Sequence, residues 1–537
     1  MPHSRPFGRR GGALRAPVLV ALLATLLALV PAPADAAPRH SSPVVHTDRG
    51  AVRGRAHGAY ETFEGIPYAQ PPTGALRWHA PVPMRPWRGV RDAGAPGPRC
   101  AQADLATGAA VGSEDCLHLN VTRPAGRAPG GGRPVMVWLH GGAFVAGTAG
   151  DYKAGRLATR GGAVVVTVNY RLGVFGLFGH AELGGAPDFT LADQQAALRW
   201  VRANARRFGG DPHRVTLFGE SAGALSTCAQ LVSPKGAGLF QRAVLQSGSC
   251  MTSMPKGAVD PAEKAWSPWA RERDVLAAGG EAARRLGCGR RVEALRCLRA
   301  LPLRKLATPE LMRAFSFVAY GNGQLREEPG RALEKGRFHR MPMVQGTNHD
   351  EMRYFVAQAF ARFPVRDVTD YRARLRASFG DAAAAVERRY PARAYRTPAA
   401  AWAAVLTDRS WTCTSLRADR ALAARVPVYG YEFADPKAPN VFGLPTVPEL
   451  PYGAAHAFEL PYLFDVPAPF TAGQRALSER MTDAWTRFAR TDVPGPEWPR
   501  FGGRAPRVLS LAPGAGGTRP LDLGAAHHCG FWARHGA

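Results

Sequence analysis

The sequence predicts an α/β protein: a large, mostly parallel, twisted sheet flanked by helices. Three observations predict it. From about residue 130 apolar strand-like runs alternate with amphipathic stretches, the arrangement of strands joined by crossover helices. Leu191, Leu198, Val201, Ala205 and Phe208 fall at helical spacing. A Gly219-Glu220-Ser221-Ala222-Gly223 turn stands between a strand and a helix.

In chain order, Arg5, Arg9, Arg10 and Arg15 precede the apolar run 16–30, and the small-residue site Ala34-Asp35-Ala36 follows. This is the three-part layout of a secretory signal over residues 1–36, cleaved after Ala36. Arg9-Arg10 also resembles the start of a twin-arginine signal, with poorly fitting flanks. The run is shorter than the ~20 residues a membrane span needs and contains Pro17, so no stable membrane anchor is expected. Residues 37–537 read as one domain. Its buried strands are 133–139, 163–170, 214–218, 242–245, 341–345 and 426–433. Residues 190–208 form an amphipathic helix closed by Gly209-Gly210, and 222–232 a second helix. Residues 252–340 and 356–425 are helical with Pro and Gly breaks and read as insertions over the sheet.

Composition bounds the function. With 46% hydrophobic and 21% charged residues in 537, the chain can bury a large core and is not disordered. The formal charge of +27 first raises a polyanion or membrane surface as partner. Only 7 of the 69 basic residues are Lys, and no basic run is interleaved with stacking aromatics, so nucleic acid is not expected. Eight cysteines in an exported chain, without a CxxC pair, favour disulfides over a structural zinc.

The Gly-x-Ser-x-Gly turn makes Ser221 the candidate nucleophile. A sharp strand-to-helix turn lifts the hydroxyl above the sheet, and flanking glycines avoid collision with neighbouring backbone. A hydroxyl is too weakly acidic to attack an ester unaided and needs a base oriented by a carboxylate, here in the order Ser, acid, His. Among the late histidines, His527, His528 and His535 crowd the C-terminal tail around Cys529, where exposed or capping roles are expected. His456 lies in a Gly-containing loop leading into an apolar segment and is taken as the base. The acid is Asp350 or Glu351, both at the C-terminal end of a strand, and His349 reads as a surface residue. The stretch 138–144 (WLHGGAF) runs a strand end into small residues whose bare backbone can meet an oxyanion, with each donor worth about 3 kcal/mol.

Taken together, Phe63–Ala69, Ser113–Leu117, His140–Phe144, Asn169–Gly173, Asp193-Gln194, Phe208–Pro212, Gly219–Gly223, Gln246–Gly248 and Asn348–Glu351 resemble the type-B carboxylesterase/lipase family of α/β-hydrolases over nearly the whole mature chain. The resemblance implies an α/β-hydrolase fold with helical insertions over the active-site face. It implies Ser221 as nucleophile, Glu351 as acid, His456 as base, and oxyanion donors from Gly142, Ala143 and Ala222. It also implies disulfides Cys100–Cys116, Cys288–Cys297 and Cys413–Cys529, and buried ion pairs Arg77–Glu114 and Arg171–Asp193. Cys228 and Cys250 remain, and pairing is favoured because a lone thiol in an exported protein meets oxidants.

Two departures bear on substrate and geometry. Ala101–Asp115 contains no aromatic residue, so the cation–π platform of cholinesterase relatives is missing. The family usually has Gly after the acid, where this chain has Met352. The expected function is a secreted serine carboxylesterase acting on a small-molecule ester through an acyl-enzyme, without cofactor or metal. The rivals are a lipase acting on long-chain acylglycerols and a binding or adhesion protein with a dormant site.

Overall fold

Strands that run parallel and are covered on both faces must be apolar throughout rather than alternately, and the central strands here are. In the computed structural model, which describes residues 42–289, 293–502 and 507–536, they assemble into one sheet of 11 strands. The expected leader, 1–36, lies outside the described residues. In chain order the sheet strands are β1 (Arg55–Ala56), β2 (Tyr60–Pro67), β3 (His118–Pro124), β4 (Arg133–Leu139), β5 (Val164–Val168), β6 (Gly210–Glu220), β7 (Arg242–Gln246), β8 (Met343–Asn348), β9 (Val428–Phe433), β10 (Val508–Leu511) and β11 (Arg519–Leu521). Their spatial order is β11-β10-β9-β8-β7-β6-β4-β5-β3-β2-β1. From β5 to β10 every neighbouring pair is parallel, and the antiparallel pairs lie at the two ends. The fold is that of an α/β-hydrolase.

The six strands expected from sequence all form, β4 with the expected bounds and the other five with shifted ends. The largest shift is in β6, which starts at Gly210 instead of 214 because Gly210 pairs with Arg133 across a bulge. The helix α1 (Phe189–Asn204) begins at Asp188, whose side chain accepts from the Leu191 N–H, and it tightens into a 3-10 turn ended by Gly209 at φ 80°. The helix α2 (Ala222–Val232) leaves β6 through Ser221.

The insertions are largely helical. The first carries Glu272–Arg285, Ala294–Ala300, Pro309–Ala314 and Pro329–Glu334, together with a small parallel pair, Trp269–Arg271 with Val318–Tyr320, that periodicity did not announce. The second carries Val368–Phe379, Ala383–Arg389 and Pro398–Thr407, then a π-helical turn, Asp408–Thr412, running into Cys413–Ala423. All eight cysteines are paired: Cys100–Cys116, Cys228–Cys250, Cys288–Cys297 and Cys413–Cys529. In the chain-entropy account the last, closing 116 residues, restricts the unfolded chain most, by about 5 kcal/mol against about 3 for the first.

Arg171 and Asp193 form a fully buried bidentate pair with both contacts at 2.7 Å. Arg77 holds Glu114 through two nitrogens and also donates to the carbonyls of Leu298, Arg299 and Leu301, tying the first insertion to the loop closed by Cys100–Cys116. No described helix is long and apolar enough to cross a membrane.

Candidate active site

Three strand ends build the site. At the end of β6 the chain turns into α2 within one residue, and Ser221 takes the left-handed φ of 55° with ψ −121°. Such a conformation costs a non-glycine residue about 1–3 kcal/mol and persists only where the surroundings over-determine it. They do here. The Ser221 N–H donates to the Gln246 carbonyl of β7 at 3.0 Å, and the Ser221 carbonyl accepts from Leu225 at 2.9 Å. A Cβ on Gly223 would stand 1.9 Å from the Leu139 carbonyl oxygen, and one on Gly219 would stand 2.5 Å from the Gly223 backbone. The motif glycines are therefore steric requirements of the turn.

The loop after β4 lies against that turn. A Cβ on Gly141 would sit 3.2 Å from the Ser221 Cβ. Gly142, Ala143 and Phe144 then follow with φ of 105°, 53° and 60°. Gly142 and Ala143 are exposed, and neither their N–H groups nor that of Ala222 donates to a protein acceptor among the described residues. His140 beneath the loop is buried, stacked on Tyr170 at 4.3 Å, and bonded through Nδ1 to the Gly141 carbonyl. Burial pulls its pKa down to about 4, so it stays neutral. Sequence reasoning missed Gln102, which clasps the far end of the loop: its Nε2 donates to the Gly147 carbonyl and its Oε1 accepts from the Gly147 N–H, both at 3.0 Å. A lone Gln in a disulfide loop carries no sequence signal for that role.

After β8, helix α3 (Glu351–Ala359) opens at Glu351, which is fully buried. Its Oε1 accepts from the Asn348 N–H at 2.8 Å, and its Oε2 lies 2.6 Å from His456 Nδ1. Asp350 points elsewhere, to Arg353, His349 and the Ala454 N–H. The residue after the acid, Met352, needs no glycine conformation here. Its N–H donates to Thr407 Oγ1 and its sulfur accepts from Trp411 Nε1, whose ring packs 4.7 Å from His456. Phe355 and Tyr354 close on the same imidazole at 4.9 and 5.9 Å.

His456 Nε2 faces the elbow, 3.1 Å from Glu220 Oε1, in an alignment that makes an ion-pair contact and no hydrogen bond. Ser221 Oγ is not hydrogen-bonded to the ring; catalytic hydrogen bonds of this kind often tighten only around bound substrate. Glu459 completes the buried acidic set, held by Asn348 Nδ2 at 2.7 Å and Gln246 Nε2 at 3.2 Å. Burial would lower the His456 pKa, but Glu220 and Glu351 outweigh it and raise the group to about 9. Glu220 goes up to about 8, through burial first and then Glu459 and Glu351, against the attraction of His456. An imidazole so placed can accept a proton at Nε2 and be stabilised as the cation.

Of the tail histidines, His535 is exposed as expected, and His528 stands half-buried at the N-cap position of the short helix Cys529–Trp532 without a side-chain capping bond. The expectation for His527 is overturned. It is buried between Asp408 Oδ1 at 2.6 Å and Glu432 Oε1 at 2.5 Å, because Cys413–Cys529 holds the tail beside the π-helical turn and strand β9.

Residues 41–532 match the carboxylesterase family over almost the whole chain. The chain belongs to that family. It is 35% identical over 520 residues to the fumonisin B1 esterase of Sphingopyxis macrogoltabida, covering 90% of this chain and 89% of that one. It is also 35% identical over 484 residues to the para-nitrobenzyl esterase of Bacillus subtilis, covering 85% and 92%. It is 32% identical over 542 residues to human carboxylesterase 3, covering 92% and 91%. This esterase is thus a carboxylic-ester hydrolase.

Proposed function

We propose that this carboxylesterase is exported by its residues 1–36 and works as one catalytic domain, 37–537, by a serine acyl-enzyme mechanism. The carrying observation is the 2.6 Å Glu351–His456 hydrogen bond with the far ring nitrogen turned to the Glu220–Ser221 elbow. His456 takes the Ser221 proton as Oγ attacks the ester carbonyl, and Glu351 holds the ring and stabilises the imidazolium. The oxyanion receives the N–H groups of Gly142, Ala143 and Ala222, which the loop and elbow leave without protein acceptors. The imidazolium returns its proton to the leaving alcohol, and water, deprotonated by the same ring, releases the acid. Four disulfides accord with an oxidising destination.

The substrate is a small neutral or anionic ester. The loop 101–115 offers no aromatic face for a quaternary ammonium, and a strongly basic chain repels cations. An acyl-length series of chromogenic esters, run beside an emulsified triglyceride, tests the reading. Turnover highest on soluble short or medium acyl esters is expected. Turnover only on the emulsion would make the enzyme a lipase.

A further inference from the structure

Away from the elbow, the end of β8, the strand β9 and the C-terminal tail bring three further groups together. One ring nitrogen of His349, one of His527 and a carboxylate oxygen of Glu432 all lie within 4.8 Å of one another. Each imidazole is oriented in the same way. His349 Nδ1 sits 3.1 Å from Asp350 Oδ1, and His527 Nδ1 sits 2.6 Å from Asp408 Oδ1. The aspartates are themselves fixed: Asp350 by Arg353 at 2.9 Å and the Ala454 N–H, and Asp408 by the Tyr390 hydroxyl at 2.8 Å. A carboxylate on one ring nitrogen is the outer-shell arrangement that metal-binding histidines recurrently carry, and the other nitrogen of His527 already lies against Glu432. The two rings cross at 65° with centroids 5.4 Å apart, and His349 and Glu432 face a cavity of about 670 Å³ whose other charged lining is Asp350, Asp435, Arg353, Lys437 and Arg519.

We propose that His349, His527 and Glu432 form a site for a divalent transition cation of the zinc class, bound by one ring nitrogen of each histidine and the carboxylate, with its remaining coordination open to the cavity. Two imidazoles and one carboxylate suit zinc or cobalt better than calcium or magnesium, which take oxygen ligands. Around a tetrahedral ion with bonds near 2.0–2.1 Å, ligand atoms stand about 3.3 Å apart. The His527 Nε2 to Glu432 contact, now 2.5 Å, therefore has to open by less than about 1 Å. The ion replaces the proton that bridges those two atoms, and that proton leaves to solvent. Sequence reasoning set metal aside because it looked for cysteine ligands; these three come from segments 83 and 95 residues apart. The site clamps the tail that carries Cys529 onto two sheet strands and takes no part in the ester chemistry.

The test uses the full chain, stripped with EDTA and desalted. Titration with Co²⁺ alone should show about one ion per chain by metal analysis, with visible d–d absorption of a low-coordinate nitrogen–oxygen site. Zn²⁺ should displace it and raise the melting temperature. H349A, at an exposed side chain, should weaken Co²⁺ binding on the order of 100-fold with the fold retained by circular dichroism, and E432Q should do the same. H456N should bind as the native chain does, which separates this site from the elbow whether or not the proposed ester mechanism holds. Failure of the native chain to take up Co²⁺, undiminished binding in H349A, or loss of binding in H456N would each overturn the proposal.

Discussion

Two buried histidines in this protein have nearly the same immediate surroundings and different prospects. His456 and His527 are each 4% exposed, each has a carboxylate 2.6 Å from Nδ1, and each has a second carboxylate near Nε2. The difference is at the far nitrogen. For His527 it is closed by a 2.5 Å contact with Glu432. For His456 the Glu220 contact is misaligned, and the next residue along is a strained serine beside a loop with exposed, unused N–H groups. An imidazole between two acids is a stabilised cation in either place. Only an adjacent nucleophile and oxyanion donors can make it a base.

The contrast breaks most sharply under exchange of the two histidines' fates. His456→Ala should lower kcat on the order of 10⁵–10⁶-fold with the fold retained, as removal of one member of such a unit does. His527→Gln should leave kcat close to native while reducing stability by about 3–5 kcal/mol, because Asp408 and Glu432 lose their buried partner. Ester turnover and urea midpoints on both variants check this, and a large kcat loss in His527→Gln would erase the distinction. Glu351→Gln should cost about 10⁴-fold in kcat by releasing the ring from its working tautomer. Gln102→Ala frees Gly147 and lets the donor loop drift, for a kcat loss between about 10- and 100-fold with KM little changed.

The smallest effect is a shift along the pH axis. His456 must be neutral to accept a proton, so activity rises with pH through its pKa, which Glu220 and Glu351 raise to about 9. Removing the Glu220 charge lowers that pKa, and the acid limb of kcat/KM in Glu220→Gln should move to lower pH by about one unit or more. An unmoved limb would reduce Glu220 to an anchor of the turn.

Much of this was legible in the chain because the local chemistry is strict. The apolar runs of β4–β9 had to be buried strands, and Gly219 and Gly223 had to flank a turn that tolerates no Cβ. The choice of Glu351 over Asp350 was not readable from composition. Both sit at a strand end, and only the first helical turn, started by the Asn348 contact, aims one at His456 and the other at Arg353. His527 was misread because its burial depends on a disulfide partner 116 residues away and on strand β9, neither visible in the tail itself. Gln102, Trp411 and the π-turn act through contacts between distant loops and leave no local trace.

The central claim is that Ser221, and no other hydroxyl, is the nucleophile served by His456. A fluorophosphonate probe, with intact mass and peptide mapping, tests it directly. The account predicts a single adduct on Ser221 in the native chain and in His527→Gln, and none in Ser221→Ala. A folded, unlabelled native chain, or an adduct that survives Ser221→Ala, would contradict it.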